Sequence, residues 1–161
     1  MSSDRTLSRR GAVLTLLALG ACGFSPALAP GGAARSLQGR VSVTAPDTIE
    51  GFALRARLQE RLGRGPGDLQ LIVDIEEALE AAARSRRGDT LRYNVIGAAG
   101  WQLLGPDGQT LGEGQVDGFT SYGATGSTVA TQTSATDAQG RLMTLLADRI
   151  FAQLVLLDVS S

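Results

Sequence analysis

The chain has 161 residues, a formal net charge of −1 and 43% hydrophobic residues, which fits one folded domain with room for a leader or a tail. Every basic residue is Arg, because the sequence contains no Lys and no His, and it has a single Cys. The near-neutral charge excludes a global attraction to nucleic acid. The lack of His excludes Ser-His and Cys-His catalysis and His-based metal sites. We therefore expect no catalytic role, no cofactor and no metal site.

The first 21 residues have the pattern of a secretory signal peptide. Arg5, Arg9 and Arg10 precede an uncharged apolar run at residues 11–21. As a helix this run is about 16 Å long, whereas the hydrocarbon core of a bilayer is roughly 30 Å thick. The run is therefore too short for a comfortable membrane span. The Arg pair leaves both general and twin-arginine export open.

The only cysteine, Cys22, follows this apolar run directly. The sequence Leu19-Gly20-Ala21-Cys22 resembles the bacterial lipobox, in which the Cys is acylated and becomes the new N-terminus. Gly23, rather than Asp, follows it, and in lipoproteins of this kind that implies the outer membrane. We predict lipidation at Cys22 and an anchor on the periplasmic side of the outer membrane. Residues 22–36, rich in Pro, Gly and Ala, are predicted to be a flexible tether, and residues 37–161 a single α/β domain.

Hydrophobic periodicity predicts a strand and a helix at the start of the domain. The strand is predicted from apolar and small residues that alternate with polar ones, at Leu37, Gly39, Val41 and Val43. Asp47 and Glu50 resemble a capping box. Apolar residues then recur every four positions, at Leu54, Leu58 and Leu62, which predicts an amphipathic helix.

Period-two patterns return at Leu69 and predict three further strands. Residues 78–83 fit either an extension of the second strand or a helical turn. The third strand has Tyr93, Val95 and Trp101 on one face, and a turn at residues 105–108 joins it to a fourth strand at residues 110–122. A long apolar stripe predicts a last helix from Ser127 or Thr128. The order β-α-β-β-β-α predicts an α+β two-layer sandwich: a four-stranded mixed sheet with two helices on one face.

The lipobox, the element order and several short motifs together resemble the LptE family of lipopolysaccharide-assembly lipoproteins. The motifs are Cys22-Gly23-Phe24, Arg92-Tyr93, Ser121-Tyr122, Ala130-Thr131, Asp137-Ala138 and Leu146-Ala147-Asp148. The resemblance implies a protein that plugs the lumen of the outer-membrane β-barrel LptD, assists its assembly and binds lipopolysaccharide. An auxiliary lipoprotein of a phospholipid ABC or MCE-type transport system is the alternative.

Four arginines near one predicted turn are the candidate lipopolysaccharide-binding residues. Arg84, Arg86 and Arg87 lie between the second and third strands, and Arg92 follows closely. Lipid A carries phosphates, and the guanidinium group of Arg binds phosphate in a bidentate manner. The same arginines also fit an ordinary solvated turn, so both interpretations stay open at this point.

Overall fold

A four-stranded sheet with helices on one face is the framework of the computed structural model, which describes residues 33–157. The elements are α1 (Ala33–Leu37), β1 (Val41–Thr44), α2 (Ile49–Leu62), β2 (Leu69–Arg84), β3 (Thr90–Leu104), β4 (Thr110–Gly123) and α3 (Thr128–Leu154). This arrangement confirms the predicted α+β class. The described part of the chain contains no helix that is both long and apolar enough to cross a membrane.

The sheet is mixed and its strands lie in the order β1-β2-β3-β4. Helix α2 connects β1 to β2, which run parallel, with Val41 opposite Leu69. The pairs β2–β3 and β3–β4 are antiparallel hairpins. Residues 78–83, for which the sequence left two alternatives, belong to β2. Because β1 has only four residues and β2 has 16, more than half of β2 extends beyond its parallel neighbour.

The core forms between one face of the sheet and the two long helices. Inward residues of β3 alternate with partly exposed ones from Val95 to Leu103, as the period-two pattern predicts. Helix α2 buries Leu54, Leu58 and Leu62 against this face. Helix α3 contributes a longer apolar stripe, whose buried members are Ala138, Leu142, Met143, Leu146, Ala147, Ile150 and Leu154.

Two glycines of the sheet allow α3 to lie close to it. A Cβ atom at Gly97 would lie 2.9 Å from Cδ2 of Leu142, and one at Gly118 would lie 2.8 Å from Cδ2 of Leu145. Gly97 and Gly118 are opposite each other on β3 and β4. They therefore form a shallow depression in which leucines of α3 pack.

Partly exposed ion pairs join α2 to α3. Asp148 of α3 accepts hydrogen bonds from Nε and Nη2 of Arg57, both at 3.0 Å, and from Nε of Arg61 at 3.0 Å. The hydrogen bonds from Arg57, and then those from Arg61, hold the pKa of Asp148 below its usual value. The guanidinium of Arg61 also lies 5.2 Å from the ring centroid of Phe151. One carboxylate thus links both helices through two arginines.

The structure corrects the predicted start of the domain. Leu37 ends the helix α1 instead of opening the first strand, and Val41 opens β1. Gly39, with φ +73°, donates its N–H to the carbonyl of Leu62, 2.7 Å away, and so turns the chain between the two elements. Ala34 and Leu37 are buried because α1 packs on the core. Residues 33–36 of the predicted tether are therefore part of the folded domain, and residues 22–32 lie outside the described residues.

The first residues of α2 also differ from the predicted capping box at Asp47. The N-cap is Thr48, whose Oγ1 accepts the N–H of Gly51 at 3.0 Å. Gly51 is required here for steric reasons, because a Cβ atom would lie 2.1 Å from the carbonyl oxygen of Pro46. The loop that ends β1 therefore packs directly on the first turn of α2.

Two Gly→Ala substitutions in helices should change stability in opposite directions. G51A should destabilise the fold by about 1–3 kcal/mol, because the new methyl group collides with backbone. G140A should stabilise it by about 0.5–1 kcal/mol, because nothing lies within 4 Å and only helix propensity changes. Chemical denaturation of both variants checks this. Equal changes in the free energy of unfolding of the two variants would contradict the close contact at Gly51.

Substitution D148N should remove a pH-dependent contribution to stability. The pKa of Asp148 is lowered in the folded state, so the pair stabilises the fold above the ordinary Asp pKa of about 4 and is lost as the pH falls further. At pH 7 we expect a cost of about 1 kcal/mol, since the side chain is 32% exposed.

Thermal unfolding between pH 7 and pH 2 should show wild type and D148N converging at the acidic end. The matched control is D137N, which removes a more exposed pair with Arg141 and should cost less than about 0.5 kcal/mol. A constant difference between wild type and D148N at every pH would mean that the charge of Asp148 is not responsible.

Candidate functional site

The turn between β2 and β3 is closed by its own hydrogen bonds. The N–H of Ser85 donates to the carbonyl of Asp89 at 2.8 Å, and the N–H of Gly88 donates to the carbonyl of Ser85 at 3.0 Å. Gly88 has φ +92°, a conformation that favours glycine. The hydroxyl of Ser85 accepts the N–H groups of Arg87 and Asp89, both at 3.1 Å. This turn therefore holds Arg86 and Arg87 at its two central positions.

Two further arginines lie on the strands that enter and leave this turn. Arg84, the last residue of β2, is opposite Thr90, and Arg92 of β3 is opposite Ala83. We call the four residues Arg84, Arg86, Arg87 and Arg92 the arginine end. The structure thus brings all four predicted site residues to the same end of the sheet.

The four side chains of the arginine end are exposed, and within residues 33–157 none of them forms an ion pair. The nearest carboxylate in the turn, that of Asp89, accepts a hydrogen bond from the hydroxyl of Ser85 at 3.2 Å. By contrast, several arginines elsewhere are paired with carboxylates: Arg40, Arg57, Arg61 and Arg141. The arginine end therefore carries a local positive charge on a protein that is slightly acidic overall.

The N-terminus of α3 adds to this positive potential. The loop that precedes it is bound to the arginine end, because Gly123 pairs with Arg92 and the N–H of Ala124 donates to the carbonyl of Leu91 at 2.9 Å. Ser127 caps the helix by accepting the N–H of Ala130 at 3.3 Å. The first turn of α3 contains no acidic residue. The partial positive charge of the helix terminus is therefore not offset within the helix itself.

A groove of about 310 Å³ lies beside the arginine end, between the first half of α3 and the sheet. Leu79, Val95 and Tyr122 line it from the sheet, and α3 contributes small and polar side chains such as Gln132 and Ala135. Leu79 stays 57% exposed because no large side chain of the helix covers it. The ring of Tyr122 stacks on that of Tyr93, with centroids 5.5 Å apart. The groove presents apolar surface, hydrogen-bonding groups and, at Glu77, a carboxylate.

The sequence predicted the arginine end and a helix start at Ser127 or Thr128, but it did not show that this helix terminus lies next to Arg92 or that a groove lies beside it. The absence of acidic residues in the first turn of α3 was readable from the sequence, whereas its position next to Arg92 depends on the folded chain. Cys22, the predicted lipidation site, lies outside the described residues. Among residues 33–157 there is no cluster of three or more Cys, Asp or Glu side chains suited to hold a metal ion.

Several solved structures of bacterial lipoproteins share this fold. A protein from Caulobacter crescentus CB15 described as a lipoprotein superposes with a TM-score of 0.62 at 21% identity, over 76% of this chain and 92% of that chain. The rare lipoprotein B from Shewanella oneidensis gives a TM-score of 0.53 at 14% identity, over 71% and 91%. A minor lipoprotein from Acinetobacter baumannii gives 0.53 at 14% identity, over 73% and 90%. At these identities the likeness shows the fold alone.

The amino-acid sequence itself supplies the family. No curated protein sequence matches the chain significantly. The sequence model of the LptE lipopolysaccharide-assembly family, however, matches residues 38–154, which includes every strand and both long helices. The chain therefore belongs to the LptE family of lipopolysaccharide-assembly proteins.

Proposed function

We propose that this chain is an outer-membrane lipoprotein that plugs the lumen of a large LptD-like β-barrel and binds lipopolysaccharide at the arginine end. Its family places it in lipopolysaccharide assembly. The observation that carries the binding site is a set of four arginines that form no ion pair within residues 33–157 and lie next to the N-terminus of α3, whose first turn has no acidic residue. Acylated Cys22 holds the protein on the periplasmic side of the membrane.

The chemistry of the arginine end suits the phosphates of lipid A. A guanidinium group offers paired N–H donors that match two oxygens of one phosphate. A helix N-terminus favours the same negative charge. The adjacent groove has apolar surface at Leu79 and Tyr122, on which the hydrocarbon part of an amphiphile can lie. Phosphate recognition and contact with apolar surface are therefore available at one end of the domain.

The dimensions of the domain support a role as a plug. Barrels with more than about 20 strands have a wide lumen that needs filling. Strand β2, with 16 residues, is about 50 Å long at roughly 3.3 Å per residue. The chain enters the domain at the Leu69 end of this strand, through α1 and β1, and the arginine end is at its other end. The point where the chain enters the domain and the arginine end therefore lie at opposite ends of β2.

Substituting Arg84, Arg86 and Arg87 together with Ala should weaken lipopolysaccharide binding at least tenfold. Each lost phosphate contact removes a charge-assisted hydrogen bond. Binding of purified protein to lipopolysaccharide should be measured at several salt concentrations, with dephosphorylated lipopolysaccharide as the second ligand. Wild type should bind the dephosphorylated ligand about as weakly as the variant does.

The matched control removes the same charge from three arginines elsewhere, by changing Arg35, Arg55 and Arg64 to Ala; these too form no ion pair with the residues that the structure describes. This variant should bind within about twofold of wild type. An equal loss of lipopolysaccharide affinity in both triple variants would mean that only net charge matters, and it would reject the arginine end as the binding site.

Substitution C22A should release the protein from the membrane, because the thiol that accepts the lipid is gone. Fractionation of cells that express the full chain should then show it in the soluble periplasmic fraction. The mass of wild type should exceed that of the processed polypeptide by the acyl groups. Membrane retention of a C22A protein whose mass shows neither added lipid nor residues 1–21 would contradict an anchor at this residue.

Purification of the lipidated protein from detergent-solubilised outer membrane tests the partner. We expect one large β-barrel protein at near-equal stoichiometry, identified by mass spectrometry. Recovery of inner-membrane transporter subunits instead would favour the auxiliary-transport alternative.

A further inference from the structure

The two edges of the sheet differ in how their backbone groups are satisfied. At the outer edge, carbonyl groups of β4 accept hydrogen bonds from long side chains of α3. These bonds run from Arg141 to Ser121, from Arg149 to Asp117 and from Gln153 to Gln115. Helix α3 thereby protects this edge from pairing with another strand.

In the part of the chain that the structure describes, β1 pairs with the opposite edge, along β2, only at its beginning. The N–H of Leu69 donates to the carbonyl of Arg40 at 2.9 Å, so Leu69 directs its backbone groups towards β1. Backbone direction alternates along a strand, and therefore every second residue after Leu69 faces the same way. The last residue of β1, Thr44, pairs with Ile72, and Pro46 then turns the chain away.

Beyond this point β2 has a run of backbone groups without a partner. The residues that face outward are Ile75, Glu77, Leu79 and Ala81. Within the described residues, none of their N–H groups has a hydrogen bond to β1, to a loop or to a side chain. A register shift between Ala81 and Ala83 ends the regular stretch. We call the segment from Ile75 to Ala81 the open edge.

The surroundings of the open edge are partly apolar. Leu79 is 57% exposed, and Ile49 and Phe52, on the neighbouring first turns of α2, are 81% and 64% exposed. A small pocket lined by Pro46, Ile75 and Glu77 lies where the β1–α2 loop meets the edge. An added strand would therefore gain both backbone hydrogen bonds and apolar contacts.

The open edge is also acidic. Four glutamates accompany it, at positions 50, 76, 77 and 80, and within the described residues none of them forms an ion pair. Burial, and then the negative charge of Glu50, raise the pKa of Glu77. A second copy of this chain would bring the same carboxylates together, which disfavours self-pairing. A positively charged segment would relieve the repulsion.

We propose that the open edge accepts an extended, Lys- or Arg-containing segment of a partner polypeptide as a fifth strand of the sheet. Backbone hydrogen bonds to the outward residues between 75 and 81 hold the segment in an extended conformation alongside β2. The glutamates select for basic side chains, and Leu79 and Phe52 favour apolar ones between them. This proposal does not depend on lipopolysaccharide binding by the arginine end: the groove and the open edge share Leu79, but the four arginines lie beyond residue 81.

Hydrogen exchange gives the direct test. The full lipidated chain, purified together with its partners from native membranes, is compared with the isolated chain. In the complex, the amides of Ile75, Glu77, Leu79 and Ala81 should exchange at least tenfold more slowly than in the isolated chain. Residues 76, 78 and 80 donate to β3 and should be protected in both samples. Equal exchange of the outward amides in both samples would overturn the proposal.

A proline at the open edge removes one donor without breaking the sheet. A81P deletes an outward N–H and should lower recovery of the partner at least tenfold, whereas A81S keeps the N–H and should recover it as wild type does. A78P removes an N–H that β3 needs, so it should lower the melting temperature clearly more than A81P does.

The position of the partner is tested by cross-linking from residue 77, with the linked peptide sequenced. A basic segment of another protein is expected there. Normal partner recovery by folded A81P, or a dimer of the isolated chain that A81P disrupts, would overturn the proposal. The triple substitution of Arg84, Arg86 and Arg87 should leave protection of the open edge unchanged, which separates this test from that of lipopolysaccharide binding.

Discussion

The close packing of α3 on the glycines of β3 and β4 is the contact on which most of the structure depends. Gly97 and Gly118 let Leu142 and Leu145 lie against the sheet at ordinary van der Waals distance. The same packing places Ile150 and Leu154 in the core. A methyl group at either glycine would have to displace the terminal methyl groups of Leu142 or Leu145 from their positions against the sheet.

Three functions of α3 follow from that position. Its carboxylate at Asp148 reaches Arg57 and Arg61 and so holds α2 in place. Its long polar side chains reach the carbonyl groups of β4 and close that edge of the sheet. Its N-terminus lies beside Arg92, where it contributes positive potential. One helix therefore stabilises the domain, protects one edge and completes the candidate site.

The sequence was sufficient to predict the strands and helices wherever burial alternates on one face. The apolar positions of β3 and the stripe of α3 follow directly from period-two and period-3.6 patterns. The predicted first strand began too early because Leu37 is a buried apolar residue. It lies in the short helix α1, and a buried position alone does not distinguish a helix from a strand. The N-cap was misplaced by one residue, since Asp47 and Thr48 are both good caps and tertiary packing at Gly51 decides between them.

The arginine end could be predicted because its four residues are neighbours in the sequence around one hairpin turn. The features that come from distant segments could not. Asp148 and Arg57 are 91 positions apart, and the capping of β4 by α3 joins residues 20 to 38 positions apart. Likewise, the open edge of β2 results from the early end of β1, and only the pairing pattern reveals it.

The length of the β2–β3 hairpin fixes the distance between the point where the chain enters the domain and the arginine end. A single strand runs from the point where the chain enters the domain to the arginine end, so their separation is set by the rise per residue and not by side-chain contacts. Faces of a strand alternate with period two, and thus an insertion of two residues into each strand would lengthen the hairpin by about 7 Å without reversing any face.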